Sequence, residues 1–598
     1  MEITIDHKLN HYLNVHTATQ PKIIPNSHTI TFITKKTGIP QVWTLDMQSA
    51  EIEQFTNLND RVLSVYHSPS GKKAIIGMDH HGNEKQQFYI KRAEGTVFEK
   101  LVVSNEHFHN FGGWSPDEKK IAYSSNRRHP GYFDVFVMDV ETMQEEAVYE
   151  FDGNCTPLLW LKDGKQIVLR VQETNIDSSL YILDVEKKEL TRIGDSTVYA
   201  RYQSLVVTND KKGGYVLSDI HHDTLDVYRL SFDVPADLQK VFSVDRWDVV
   251  EISLSPNEMK LAYTVNEGGI YSLRVYDLGT GEHTEIYGIP SGVIESISWL
   301  DEENMIFCLK TPTVPGDIWS ASINDSVIER LTFLSKSEDI EHLWMEPELC
   351  TFSSFDGLEV PYFIYGKKEQ SQPVVVYVHG GPESQIKAEF NPVIQYLAGE
   401  GYAVVAPNVR GSMGYGRNYV QLDDARKRMD AVADLSWLVQ DLINNRAVDK
   451  NRIGIMGRSY GGFMVLAALT HYPHLWAAGV DIVGISHFRT FLENTGPWRR
   501  RLRECEYGSL ENDSEFFEEI APLNHTNKIS VPLLIFHGRN DTRVPVTEAE
   551  QLAADLRSQD KEVELVIFDD EGHQTERIEN HIKMNSMIVA FMNQHLKG

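Results

Sequence analysis

Between residues 25 and 301 one phrase recurs seven times: a turn with Pro, Asn, Asp or Gly, a Lys or other polar residue, then a short β-rich strand. The clearest copies are Ser68-Pro69-Ser70-Gly71, Ser115-Pro116-Asp117, Leu161-Lys162-Asp163-Gly164 and Ser255-Pro256-Asn257. Fainter ones lie at Pro25-Asn26, Asn209-Asp210 and Asp301-Glu302. With residues 25, 69, 116, 162, 209, 256 and 301 as anchors, the intervals are 44, 47, 46, 47, 47 and 45. Spacing this even is the mark of a structural repeat. After most anchors a second strand ends in aspartate, at Asp46, Asp139, Asp184 and Asp277. About four short strands fit each unit, the size of a propeller blade, and seven blades close a ring around a channel. A β-sandwich with irregular turns is the competing reading, and the regular spacing argues against it.

From about Phe352 the pattern changes to strands alternating with long amphipathic segments, as in a mostly parallel sheet covered by helices. Val374 to Val378 and Ala403 to Ala406 read as buried strands, and Leu533 to Phe536 and Val563 to Phe568 as later ones. Ala431 to Ile443 has helical apolar spacing at Val432, Leu435, Leu438, Val439 and Leu442. At 598 residues the chain is too long for one ordinary core, so two large domains are expected.

Where the strand Arg452 to Met456 meets an apolar helix stands Gly457-Arg458-Ser459-Tyr460-Gly461-Gly462. This reads as a nucleophile elbow, a tight turn that exposes a serine hydroxyl beside a base. The bare pattern is weak evidence, because about 0.2 chance matches are expected in a chain of this length. Its context carries the reading. In α/β-hydrolase order the acid follows the serine on the loop after a later strand and the histidine comes last. Asp541 follows Leu533 to Phe536, 82 residues after Ser459, and His573 follows Val566 to Phe568, 32 residues later. His573 is then the general base, and Asp541 holds its imidazole in the right tautomer. Asp569, Asp570 and Glu571 adjoin the histidine too closely to serve as the acid. The Tyr460 N–H and the glycine turn His379-Gly380-Gly381-Pro382, with Gly381 as the candidate, would supply the oxyanion donors.

These phrases, with Pro407-Asn408-Val409-Arg410-Gly411-Ser412, Gly414-Tyr415-Gly416, Asp541-Thr542-Arg543-Val544-Pro545 and Glu571-Gly572-His573, resemble the prolyl oligopeptidase clan of serine peptidases, nearest its acylaminoacyl-peptidase branch. The resemblance covers essentially the whole C-terminal half and, by architecture, the propeller. It implies a seven-bladed β-propeller over residues 21–345, an α/β-hydrolase domain over 346–598, and an N-terminal segment, 1–20, packing on the hydrolase domain. It also implies that Arg543 engages a substrate carbonyl, with a salt bridge to acidic neighbours as the alternative. Glu84 resembles a propeller glutamate that meets a substrate's free amine or its cationic partner, with a solvated turn residue as the alternative. Two positions depart from the pattern: Gln574 stands where a glycine is common, and the segment Arg426 to Asp430 lacks the usual Trp-Gly.

Phe488, Phe491 and Trp498 are candidates for an aromatic substrate pocket, against the commoner fate of core packing. Arg499, Arg500, Arg501 and Arg503 read as structural, paired with the glutamates that follow them. A formal charge of −29 and a pI near 5.2 argue against nucleic acid or anionic lipid as partners. Cys155, Cys308, Cys350 and Cys505 lack CxxC spacing and read as core thiols, and no signal peptide or membrane span is visible, so a cytoplasmic setting is expected. With no HExxH, paired CxxC or phosphate loop, and with His80-His81 and His221-His222 lacking metal-site spacing, no metal or cofactor is implied. The expected function is a serine peptidase acting on short peptides, with a carboxylesterase on the same scaffold as the alternative. Edge strands leave room for a homo-oligomer.

Overall fold

Each repeat folds into one four-stranded antiparallel sheet, over residues 19–54, 62–102, 109–149, 154–193, 202–242, 249–285 and 293–330. The computed structural model describes residues 7–92, 97–325, 327–335, 341–366, 372–446 and 448–597, so the first six residues of the expected N-terminal segment lie outside it. Every anchor residue falls in the hairpin between the first and second strands of its sheet. The Ser-Pro turns owe their recurrence to a hydrogen bond. Ser68, Ser115 and Ser255 each accept, on Oγ, the backbone N–H of the residue five positions on, at 3.2, 2.9 and 2.9 Å.

The second strand after the anchor, which ends in aspartate at Asp46, Asp139, Asp184 and Asp277, is the third strand of its blade. Its aspartate closes the next hairpin: Asp139 Oδ1 accepts the N–H groups of Glu141 and Thr142 at 3.0 and 2.9 Å, and Asp277 repeats this with Gly279 and Thr280. All seven blades draw their strands from contiguous sequence, so the first and last are joined without a shared strand. Ala18, Ile30, Phe32 and Trp43 pack on Ile306 and Ile318, and Ala18 N–H donates to Gly316 O at 2.9 Å. Burying one such large apolar side chain contributes roughly 1.5–3 kcal/mol.

The second domain is an eight-stranded sheet. Its strands are β1 (Glu348–Ser353), β2 (Glu359–Tyr365), β3 (Val374–Val378), β4 (Ala403–Pro407), β5 (Ile453–Arg458), β6 (Ala478–Ile482), β7 (Leu533–Gly538) and β8 (Val563–Phe568). Their order is β1-β2-β4-β3-β5-β6-β7-β8, antiparallel at the first two pairings beside β1 and β2 and parallel from β4 onward. Strands such as Val374-Val375-Val376 are apolar on both faces because both are covered. One face packs on α3 (Arg428–Arg446), the Ala431 to Ile443 helix of the sequence pattern, and on α4 (Tyr460–His471). The other packs on α2 (Pro392–Gly399) and α7 (Ile578–Met592), joined by α1 (His7–Leu13) through Leu9, Tyr12 and Leu13. No helix among the described residues is long and apolar enough to cross a membrane.

The propeller meets the catalytic sheet's C-terminal edge through paired charges. Arg417 reaches Asp177 and Asp219 at 2.6 and 2.9 Å, and Glu576 takes Lys35 and Arg61 at 2.5 and 3.3 Å. Glu84 takes Arg543 at 2.6 Å. Burial by itself would raise the Glu576 and Glu84 carboxyls, but Lys35 and Arg543 more than offset it, so both sit below the usual carboxylate range. A depressed folded value means that their contribution is complete above the unfolded carboxylate pKa of about 4.3 and is lost as pH falls through the folded values. The radius of gyration measured by X-ray scattering should therefore hold steady from neutral pH to about pH 5 and rise between about pH 5 and pH 3. A radius unchanged down to about pH 3 would show that apolar contact alone holds the junction.

Candidate active site

Ser459 stands between the end of β5 and the first turn of α4, with φ 59° and ψ −119°. A side-chain-bearing residue held in that region is strained, and the turn keeps it there: Ser459 N–H donates to Ile482 O at 2.8 Å. Neighbouring glycines allow the sharp passage. A Cβ on Gly461 would lie 2.2 Å from Val378 O, and one on Gly457 would lie 2.4 Å from Gly461 O. The helix can therefore start hard against β3 only if both stay unsubstituted.

Asp541 and His573 come from the loops after β7 and β8. Asp541 Oδ2 lies 2.7 Å from His573 Nδ1, while Oδ1 accepts the N–H groups of Arg543 and Val544 at 2.8 and 3.0 Å. Burial alone would raise Asp541, but His573, His537 and the Val544 N–H hold it below the ordinary value. It therefore stays an acceptor toward His573 Nδ1, while His573 Nε2 makes no hydrogen bond among the described residues. The His573 loop is braced from beneath, where Arg458 Nη1 donates to His573 O at 2.7 Å.

Ser459, His573, Gly380 and Gly381 line one cavity of about 510 Å³, and Arg543, the partner of Glu84 in the propeller, lines it too. A Cβ on Gly380 would lie 3.2 Å from Ser459 Cβ, so the glycine turn runs alongside the serine. Tyr460, as the first residue of α4, has a backbone N–H with no intrahelical acceptor. Its side chain turns away from the cavity into a buried charge network, where its hydroxyl meets Arg428 Nη1 at 3.0 Å and Asp423 Oδ2 at 3.1 Å.

The expected substrate-contacting residues divide. Glu84 and Arg543 meet each other: Arg543 Nε and Nη2 donate to the Glu84 carboxylate at 2.6–3.0 Å, and Thr542 Oγ1 donates to it at 3.2 Å. Arg543 still lines the cavity, and its Nη1 makes no hydrogen bond among the described residues. Gln574, the departure beside the histidine, lines the same cavity.

Phe488 and Phe491 do not line it. Phe488 is 1% exposed and packs on Phe463, Tyr507 and Phe517, because α5 (Phe488–Asn494) turns its apolar face into the core. Trp498 packs on Phe108 of the propeller, ring centroids 5.3 Å apart, beside a separate cavity of about 160 Å³.

The arginine run is also corrected. Along α6 (Pro497–Tyr507), Arg499 and Arg503 are one helical turn apart and both face the Ser459 cavity, while the glutamates expected to pair with them point elsewhere. Arg503 pairs instead with Glu383 at 3.1 Å, Arg500 donates to Glu493 O at 2.6 Å, and Arg499 has no carboxylate partner among the described residues. Arg428 and Glu383 carried no sequence reading of their own: Glu383 meets Arg503 from 120 positions away, and Arg428 joins Asp423, five positions back, to Glu506, 78 positions on. The i,i+4 spacing of Arg499 and Arg503 was the available signal.

Two groups of side chains among the described residues have the convergence a metal ion needs, Asp60 with His80 and His81, and Asp423 with Asp424 and Glu506. In each an arginine stands in the cation's place. Arg577 Nη2 lies 3.1 Å from His81 Nδ1, and Arg428 bridges Asp423 and Glu506. Of the four cysteines, Cys155 and Cys308 are the buried core thiols expected, Cys350 is half-buried and Cys505 is exposed.

Comparison with known proteins agrees across both domains. Residues 388–598 match the model of the prolyl oligopeptidase family, and residues 45–307 match that of the prolyl oligopeptidase N-terminal beta-propeller domain. Dipeptidyl aminopeptidase BIII of Pseudoxanthomonas mexicana is 34% identical over 238 residues, which cover 39% of this chain and about a third, 34%, of that protein. A second relative, the uncharacterized peptidase YuxL of Bacillus subtilis, is 24% identical over 97% of this chain and 90% of its own length. Among solved structures, a puromycin-hydrolyzing peptidase of Mycobacterium tuberculosis superposes with a TM-score of 0.86 at 16% identity, covering 98% of this chain and 95% of that one, a likeness of fold.

Proposed function

The chain belongs to the prolyl oligopeptidase family, and from that membership we propose that it is a serine peptidase cleaving short peptides or aminoacyl amides through an acyl-enzyme on Ser459. The observation that carries this reading is the 2.7 Å contact of Asp541 with His573 at a cavity that Ser459 also lines. In the proposed reaction His573 Nε2 takes the Ser459 proton as Oγ attacks the scissile carbonyl. The oxyanion is met by the backbone N–H groups of Tyr460 and Gly381, and His573 passes its proton to the leaving amine. Water then releases the acyl group by the same steps in reverse roles. The free Nη1 of Arg543 is suited to a substrate carbonyl, with Glu84 holding the guanidinium in place. Of the two alternatives expected for Glu84, a substrate's free amine or a cationic partner, the pairing with Arg543 supports the second.

The propeller restricts substrate size in this reading. The cavity lies next to the Glu84–Arg543 contact with the propeller, and a folded protein cannot follow a short peptide into about 510 Å³. Excluding water there also strengthens the interactions that stabilise the charged intermediate. The four unpaired cysteines suit a reducing, cytoplasmic setting.

The test is side-by-side turnover of short free and N-acetylated peptide anilides, short acyl esters and intact casein. Rapid cleavage of short peptides with negligible digestion of casein is expected. Comparable digestion of both would remove the size gate, and ester turnover without amide cleavage would make the protein a carboxylesterase.

A further inference from the structure

For a chain with 86 acidic and 57 basic residues, the Ser459 cavity has the opposite balance. Lys387, Arg458, Arg499, Arg503 and Arg543 line it against Glu383 and Glu389. Most of this positive charge is already engaged. Arg458 donates to His573 O, Arg503 is paired with Glu383 and Arg543 with Glu84. Arg499 differs. Its Nη1 is buried with no hydrogen-bond partner, and its one described close contact is the Trp498 ring, 5.4 Å away. Burial, reinforced by the like charges of Arg503 and Arg543 and only partly opposed by Glu84, brings its pKa down to about 10. It nevertheless stays fully charged at neutral pH.

A guanidinium whose buried Nη1 has no acceptor, and whose nearby carboxylate, Glu84, is bonded to Arg543 instead, is costly, and the missing piece is an anion with oxygens to accept its N–H groups. We propose that Arg499 forms a carboxylate-binding subsite beside Ser459, so that short peptides bearing an acid group are preferred. The acid is either an Asp or Glu side chain near the scissile bond or the substrate's own C-terminus. This rests on the peptidase reading and adds a substrate class to it. A carboxylate entering the cavity meets Arg499 with its charge unspent, whereas a neutral substrate leaves Nη1 unpaired.

The experiment compares kcat/KM for matched peptides in two arms. In the first, peptides differ only in ending as a free acid or as a carboxamide. In the second, all are amidated and differ in Glu against Gln on either side of the cleaved bond. A preference of about 10- to 100-fold for the acid is expected in at least one arm, the range of a hydrogen bond to a buried charge, and the arm that shows it identifies the source. In Arg499→Gln that ratio should collapse toward one, whereas Arg501→Gln, on the exposed side of the same helix, should keep it. Equal rates for acid and neutral partners in both arms, in wild-type enzyme that cleaves both, would overturn the subsite. Failure to cleave any peptide while esters are turned over would instead overturn the peptidase reading. Should Arg499→Gln not fold, Arg499→Lys replaces it: loss of the fork of N–H donors should lower the ratio several-fold, and a ratio equal to that of wild type would show that Arg499 is not the receptor.

Discussion

Ser459→Ala should lower kcat for a short peptide by about 10⁴- to 10⁶-fold while leaving KM within a few-fold of wild type. The hydroxyl contributes little to holding the substrate, since binding rests on the cavity walls and the Arg543 guanidinium. It contributes nearly everything to the reaction coordinate, because no acyl-enzyme forms without it. What remains is the rate owed to oxyanion stabilisation and positioning alone. Asp541→Asn should cost somewhat less and add almost nothing to Ser459→Ala, because the residues act as one unit. Steady-state kinetics with a fluorophosphonate label, which should mark wild type and not Ser459→Ala, provide the measurement. Activity above about 1% in a label-free Ser459→Ala preparation would move the nucleophile elsewhere.

The parts legible in the sequence are those whose signal is local. A Ser-Pro turn closes on its own hairpin five residues later, and Asp139 or Asp277 caps the turn that follows it, so both leave a repeating mark. The elbow is local too, and the hydrolase order located Asp541 and His573 relative to it before any geometry was known. Illegible parts depend on partners far away. Glu84 and Arg543 are 459 positions apart, and Arg503 and Glu383 are 120 apart, so the sequence offered each arginine the wrong glutamates. Phe488 illustrates a different limit: an aromatic side chain on a helix after a strand is equally suited to pocket and core, and only the packing of α5 on Tyr507 and Phe517 decides.

The second large effect lies beneath the nucleophile turn. Arg428→Met should destabilise the protein by about 3–5 kcal/mol at pH 8, the cost of leaving buried carboxylates without their counter-charge. Arg428 is fully buried at the start of α3, bonded to Asp423 and to Glu506, with the Tyr460 hydroxyl 3.0 Å from its Nη1. Burial pushes the Glu506 carboxyl well above its ordinary value and Arg428 pulls it back only in part. A raised folded value means the group favours the folded state most fully below the unfolded carboxylate pKa and loses that contribution as pH rises through the folded one. Without the guanidinium that value rises further, so the variant's deficit should be smaller at about pH 5 than at pH 8. Adding Asp423→Asn and Glu506→Gln to Arg428→Met should recover most of the loss, since neutral groups leave no buried charge unpaired. Denaturant titrations of the single and triple variants at both pH values measure this, and kcat provides a second readout, because Tyr460 ties the network to the first turn after Ser459. A loss below about 1 kcal/mol that does not change with pH would mean that the carboxyls are already neutral around Arg428, and that the turn is held by packing on Phe463 and Tyr507 rather than by charge.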